Sequence, residues 1–332
     1  RIHCNVSRQI FSNIYDGYSP EELDNIGYVT NGVHLQTWAA KEWQSLYENV
    51  LGNDYIENQV DVEKWKKIKD VQDDVIWKIR RKLKGELFDV IKERLSEYGR
   101  RRNDDPRYII EVIEKVNSEA LTIGFARRFA TYKRASLIFK NLEQLSKIVN
   151  NEKYPVQFIF SGKAHPNDSA GKDLIRKIIE ISRKPEFLGK IIFVEDYDMY
   201  IASKLVQGVD IWLNTPTRPL EASGTSGEKA IMNGVINFSV MDGWWAEAYM
   251  PGSGWSLKEE ITYSNPEYQD QLDAETIYNI LEEQIIPTYY NRSKDHIPTK
   301  WIGIIKNSIM NIAPRFNMKR MLNDYIEKYY TR

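Results

Sequence analysis

One cysteine, Cys4, stands among 332 residues, so no intrachain disulfide can form and a disulfide-stapled secreted scaffold is excluded. The four histidines, His3, His34, His165 and His296, are scattered, and with Cys4 they lack the clustered spacing of a zinc site. No metal centre is expected. No apolar run reaches the roughly 18–20 residues that cross a bilayer, and the first residues lack the basic-then-apolar pattern of a secretory leader. An excess of either charge is also missing. With 46 Lys and Arg against 47 Asp and Glu, the formal net charge is −1, which gives no global field to gather nucleic acid or an anionic membrane. Any anion site must be local, and a reducing cytoplasm is the expected compartment. The sequence does have 42% hydrophobic and 28% charged residues, a globular balance with material for one large or two ordinary domains. It does not begin with Met, and RIHCNVSRQIF reads as helix interior, so a longer parent chain is expected.

From about Val60 to Leu95, apolar residues recur at three- and four-residue steps, which predicts a long amphipathic helical region. Its basic stretch IRRKLK (79–84) could meet a polyanion, but an alternating charged helix face is ordinarily just solvated. The polar run GRRRNDDP (99–106) reads as a linker. Short apolar runs then follow: LTIGFA (121–126), VQFIFSG (156–162), KIIFVED (190–196), VDIWLN (209–214) and VINFSVMD (235–242), separated by helical stretches. Fully apolar strands alternating with helices predict a doubly wound α/β fold, a parallel sheet covered on both faces. Ligands of such sheets gather at the carboxyl ends of the strands. Beyond the sheet, a helix start is expected at Asp273, and 298–330 is expected to be helical with an interruption near Pro314.

The residues after the strands are chemically unusual. In GFARRFATYKRA (124–135), Arg127, Arg128, Lys133 and Arg134 place four cations in eight residues, which repel one another unless anions lie among them. A solvated basic loop is one reading, and a site for phosphoryl groups the other. In TRPLEASGTSGEKAIMNG (217–234), Gly224 and Gly227 with Ser223, Thr225 and Ser226 form a flexible loop entering a helix. It matches neither the dinucleotide fingerprint nor Walker A. Lys229, expected at that helix start, would have its pKa lowered by the dipole and could act as a reactive amine, or it is an ordinary surface lysine. In IGYVTNGVHLQTWAAKEW (26–43), Asn31-Gly32 marks a tight turn, Trp38 and Trp43 serve as core or as stacking platforms, and His34 is read as structural. FSGKAHPND (160–168) and VEDYDMY (194–200) place Lys163, His165, Glu195 and Tyr197 near the same cleft.

EASGTSGEKAIMNG followed by VMDGWW resembles the cofactor-lysine segment of the glycogen/α-glucan phosphorylase family. VTNGVHLQTW, GFARRFATYKR, SGKAHP, VEDY and APRFNMKRM (313–321) resemble further segments of that family in the same order, over essentially the whole chain. The resemblance implies the C-terminal, Rossmann-like part of a glycosyltransferase-B fold with flanking long helices. Residues 1–106 would be a helical segment leading from an upstream glucan-binding domain, 107–290 the cofactor-binding catalytic domain, and 291–332 helices packing back across the cleft. It implies phosphorolysis of α-1,4-glucan ends to α-glucose 1-phosphate with retention, using the phosphate of pyridoxal phosphate. Lys229 would hold the cofactor, surrounded by Arg127, Lys133, Tyr197, Gly224, Thr225 and Trp38. Arg128 and Lys133, with Thr225, would carry the catalytic contacts to phosphate, and Asn31, Tyr132, Glu221, Ser223 and Gly224 would contact the glucosyl unit.

α-Glucan and inorganic phosphate are the implied partners, and a homodimer the implied state of the full-length protein. The chain departs from the family at Glu228, where a methionine is the rule; its carboxylate would raise the Lys229 pKa if it faced inward, and it is expected to face away. The histidine beside the reacting sugar, which the family carries upstream, has no counterpart here, so the chain alone is expected to be inactive. A nucleotide-sugar glycosyltransferase of the synthase type, whose loop would bind a diphosphate, and a noncatalytic carbohydrate-binding fragment are the competing readings. Pyridoxal phosphate on Lys229 separates the first of these from a phosphorylase.

Overall fold

The computed structural model describes residues 2–12, 14, 19–23, 26–257 and 263–331. Six strands, β1 (Leu121–Ala126), β2 (Val156–Ser161), β3 (Ile191–Val194), β4 (Ile211–Asn214), β5 (Ile236–Val240) and β6 (Gly254–Leu257), form one sheet in the order β3-β2-β1-β4-β5-β6. Every neighbouring pair is parallel, and helices cover both faces, as the doubly wound reading requires. β1, β2, β4 and β5 are buried at every position, which accounts for their largely apolar composition. The β6 segment GWSL gave no such signal. Glycine and serine alternate there with Trp255 and Leu257, and the segment becomes a strand by completing the ladder Phe238↔Trp255, Val240↔Leu257 at the sheet edge.

Strand order reverses between β1 and β4. Their pairing stops at Gly124↔Trp212, two residues short of each strand's end, so the carboxyl ends separate and leave a crevice at the switch point.

The helical region from Val60 is divided. A short helix Val62–Trp65 runs into a 3-10 turn, Lys66–Asp70, and a helix of 29 residues, Asp73–Arg101, follows. Apolar spacing continues through the break, so periodicity alone did not show it. The basic stretch 79–84 is only half solvated: Arg81 and Lys82 are exposed and pair with Glu119 at 3.2 Å and Glu42 at 2.6 Å. Arg80 and Lys84, one turn apart, are buried. Arg80 donates to the carbonyls of Gln207, Val209 and Asn233. Lys84 reaches the Asp210 carboxylate and the Ala120 carbonyl at 2.6 Å and the Tyr289 hydroxyl at 3.0 Å. These two cations lock the amino ends of β1 and β4 together, and no polyanion reaches them.

The linker expected at 99–106 shrinks to a turn. The long helix continues through Arg101, and Asp105 already caps the next helix, Pro106–Lys115, by accepting from the Arg107 N–H at 2.8 Å. The helix expected from Asp273 starts instead at Pro266, where the Asn265 side chain accepts from the Glu267 and Tyr268 N–H groups. Asn265-Pro266 is itself a strong start signal. Thr299–Ile312 and Met318–Tyr325 are helices separated by a 3-10 turn at Ala313–Arg315, matching the interruption near Pro314. After that turn the chain bridges back to the start: the Val33 N–H donates to the Phe316 carbonyl at 3.0 Å and the Met318 N–H to the Val33 carbonyl at 2.9 Å. Gly32 is needed there, since a β-carbon would lie 2.5 Å from the Asn317 carbonyl carbon.

Candidate active site

Chain leaving β1 turns Arg127 into the crevice, where it is buried. Its Nη1 donates to Glu221 at 3.2 Å and its Nη2 to the Ser226 hydroxyl at 3.4 Å, while its Nε is buried with no hydrogen-bond partner. Lys133, whose ammonium lies 4.6 Å from the Tyr132 ring centroid, donates a close bond to the same Glu221 carboxylate. Arg134 turns the other way and pairs with Asp270 and Asp273. The mutual repulsion of the four cations is thus relieved for three of them by the protein's own carboxylates. Arg128 differs: it is exposed and forms no hydrogen bond or ion pair with another described residue.

Chain leaving β4 closes the other wall. The Thr217 N–H donates to the Tyr132 carbonyl at 2.7 Å, tying the two loops. The Glu221 N–H donates to the Asp242 carboxylate at 2.9 Å, and the Trp244 N–H to the Ser223 carbonyl at 2.8 Å. Burial raises the Asp242 pKa against the Glu221 and Gly243 N–H donors. Gly224, at φ 84°, then opens the helix Thr225–Ile231. Thr225 is half-buried, and its side chain bonds to no other described residue.

Lys229 is the fifth of seven residues in that helix, not its start. The dipole therefore does not depress its pKa. Burial does so, partly opposed by Glu228. Its ammonium sits 3.6 Å from the Trp38 ring centroid. Ser226, one turn earlier on the same helix, is the residue that meets Arg127, so one helix face presents both the amine and the guanidinium's partner. Glu228 is buried without a hydrogen-bond partner, and no ion pair joins it to Lys229 among the described residues.

The remaining candidates divide clearly. Asn31 is exposed at the rim of a cavity of about 140 Å³ that it shares with Thr30, Ser223 and Trp244. Arg320 holds that rim by donating to the Thr30 and Asn31 carbonyls at 2.8 and 2.7 Å. Tyr197 is half-buried, with its pKa raised by burial and opposed by the charge of Arg127. Lys163 is engaged by Asp196 at 3.1 Å, Glu195 pairs with Arg102, and the His165 ring accepts from the Asn167 N–H at 3.1 Å. His34 hydrogen-bonds Thr37 at the head of a short helix, a structural role.

Two supports of the site escaped the sequence reading. The Asn233 amide donates to the carbonyls of Trp38 and Lys229, both at 2.9 Å, and accepts from the Ala40 N–H at 2.7 Å, so one side chain registers the amine against the ring. Asp242, which sets the Glu221 backbone, was visible as the polar residue ending the β5 run.

The family model for carbohydrate phosphorylases matches residues 1–249. Glycogen phosphorylase of Aquifex aeolicus is 44% identical over 330 residues, 99% of this chain and 47% of its own length. Maltodextrin phosphorylase of Thermococcus litoralis is 44% identical over 336 residues, 100% of this chain and 39% of its own. Glycogen phosphorylase of Mycobacterium tuberculosis is 35% identical over 329 residues, 99% of this chain and 38% of its own. The chain spans less than half the length of these relatives.

Proposed function

This chain belongs to the carbohydrate phosphorylase family, and on that premise we propose that it supplies the pyridoxal-phosphate- and phosphate-binding half of an α-1,4-glucan phosphorylase, a glycosyltransferase releasing α-glucose 1-phosphate. The residues present fit the cofactor. An amine held below its ordinary pKa stands on an aromatic face, and an orphaned buried Nε on Arg127 lies with Ser226 one helical turn away. Lys229 would attach the cofactor, Trp38 would back it, and Arg127, Tyr197, Gly224, Thr225 and Lys133 would enclose it. The chemistry supplied by bound pyridoxal phosphate is acid–base exchange through its phosphate.

Arg128, exposed and without a partner among the described residues, is the group free to grip an incoming phosphate, and Lys133 would share that anion. Glu221 neutralises Arg127 and Lys133 while no anion is present, and its second oxygen can orient a glucosyl hydroxyl. Asn31, Tyr132, Ser223 and Gly224 would complete the sugar contacts along the cavity rim. No carboxylate pair of the hydrolase kind is required. The same reading makes glucan and phosphate the partners of a cytoplasmic, homodimeric parent.

The observation that carries the proposal is the seat of Lys229 on Trp38 with Ser226 and Arg127 alongside. It is tested by adding pyridoxal phosphate to the purified chain, reducing with borohydride and locating the label by peptide mass. A single major label on Lys229, with its absorption band absent from Lys229→Ala, supports it. Label spread over surface lysines and unchanged in that variant, or tight nucleotide-sugar binding without the cofactor, would overturn it.

A further inference from the structure

The Arg134 guanidinium pairs away from Glu221, and every nitrogen of it is engaged. Nε donates to the Thr215 carbonyl and Nη2 to the Pro216 carbonyl, both at 2.9 Å. Nη1 pairs with Asp270 at 3.0 Å and Asp273 at 2.6 Å, on the helix Pro266–Ile280. The Thr215 hydroxyl answers with bonds to the Lys133 and Arg134 carbonyls at 3.2 and 3.3 Å, and Thr217 reaches the Tyr132 carbonyl. Residues 132–134 are thereby laced to 215–217, the first turn after β4. Arg134 itself is left-handed, at φ 47° and ψ 46°, a conformation that non-glycine residues rarely keep unless their surroundings impose it. That reversal lets adjacent residues serve opposite sides: Lys133 turns to Glu221 in the crevice, and Arg134 to the carbonyls and aspartates behind it.

We infer that Arg134 is a positioning residue. Its planar fork, seated on the successive Thr215 and Pro216 carbonyls, fixes the placement of Lys133 opposite Glu221 and so sets the affinity of the site for phosphate. The inference rests on the phosphate-binding reading of the crevice. A lysine in its place keeps the charge and can keep the Asp273 pair, but a single ammonium cannot reproduce the parallel donors to Thr215 and Pro216. Removing the Asp273 charge does the converse and leaves the fork on its carbonyls.

The test measures binding of inorganic phosphate to the purified chain by calorimetry, alongside thermal unfolding, for the unaltered protein, Arg134→Lys and Asp273→Asn. Arg134→Lys should weaken phosphate binding on the order of tenfold, as small misplacement of a binding group does, at a temperature where it remains folded. Asp273→Asn should lower the unfolding temperature and leave phosphate affinity within about twofold of the unaltered chain, because the fork is retained. Equal affinity in Arg134→Lys and the unaltered chain, or affinity falling in step with unfolding temperature across both variants, overturns the positioning role. Should Arg134→Lys not fold, loss of affinity in Asp273→Asn is enough to overturn it. No phosphate binding by the unaltered chain would reject the underlying reading of the crevice, and this inference with it.

Discussion

Replacing Glu228 with methionine, the residue expected there from the family resemblance, should stabilise the protein. Glu228 is 1% exposed and neither carboxyl oxygen has a hydrogen-bond partner among the described residues. Burial pushes its pKa well above 4.5; the charges of Arg320 and Lys229 work against that shift, and that of Glu247 adds to it. An unsatisfied buried polar group costs about 1–3 kcal/mol, which a methionine of similar size does not incur. At about 2.1 cal/mol/K of unfolding entropy per residue, that gain raises Tm by about 1–4 °C if the whole chain unfolds together.

The pH dependence has a definite sign. A carboxyl whose folded pKa is raised binds its proton more tightly in the native state. Its favourable contribution is complete at pH values below the unfolded value near 4.5, and it is lost as pH rises through the folded pKa. Thermal melts of the unaltered chain, Glu228→Met and Glu228→Gln between pH 5 and 8 should therefore show the first losing stability with rising pH relative to both variants. A methionine variant that melts no higher at neutral pH, or a glutamine variant that keeps the original slope, refutes the reasoning. Removing the carboxyl also removes the one charge that raises the Lys229 pKa, so Glu228→Met should react faster with pyridoxal phosphate.

Two further perturbations probe the frame around the site. Lys84→Ala leaves the Asp210 carboxylate buried with the Thr122 N–H, at 2.9 Å, as its only remaining donor among the described residues, and urea denaturation should show a loss of about 3–5 kcal/mol. Adding Asp210→Asn should recover part of that loss, because the stranded charge is then gone. Gly227→Ala would put a methyl 2.7 Å from the Trp244 ring and against the Asn237 side chain. Crowding of this kind costs roughly 1–3 kcal/mol, and the same variant should label poorly at Lys229.

Five of the six strands were legible because burial on both faces leaves a largely apolar run, whereas β6 owes its conformation to its neighbour β5 rather than to its own residues. The cation cluster after β1 was legible as a cluster, but not its division of labour. Arg127 and Lys133 are separated from Arg134 by which carboxylates they reach, and those come from Glu221, Asp270 and Asp273, some 90–140 residues later. Local pattern carries no record of such pairings. Lys229 was legible as an amine of interest, yet the stated cause of its lowered pKa was wrong, because helix position was misjudged and enclosure by Trp38 was out of view. Asn233 reads as half of an Asn-Gly turn in any local window, and only the approach of Trp38 and Ala40 from far upstream reveals its second use.

The bridge between Val33 and the segment after Pro314 has a consequence for the order in which the molecule is made. The Asn31 carbonyl and the Arg320 guanidinium that holds it are 289 residues apart. At about 5–20 residues per second, a ribosome that has emitted Asn31 works on for roughly 15–60 seconds before Arg320 exists. Within that interval the six strands, which end at Leu257, are completed while the Asn31 carbonyl still lacks the guanidinium that holds it. Chains cut between residues 257 and 316 would keep all six strands and Lys229 and still lack the Arg320 bond that holds Asn31.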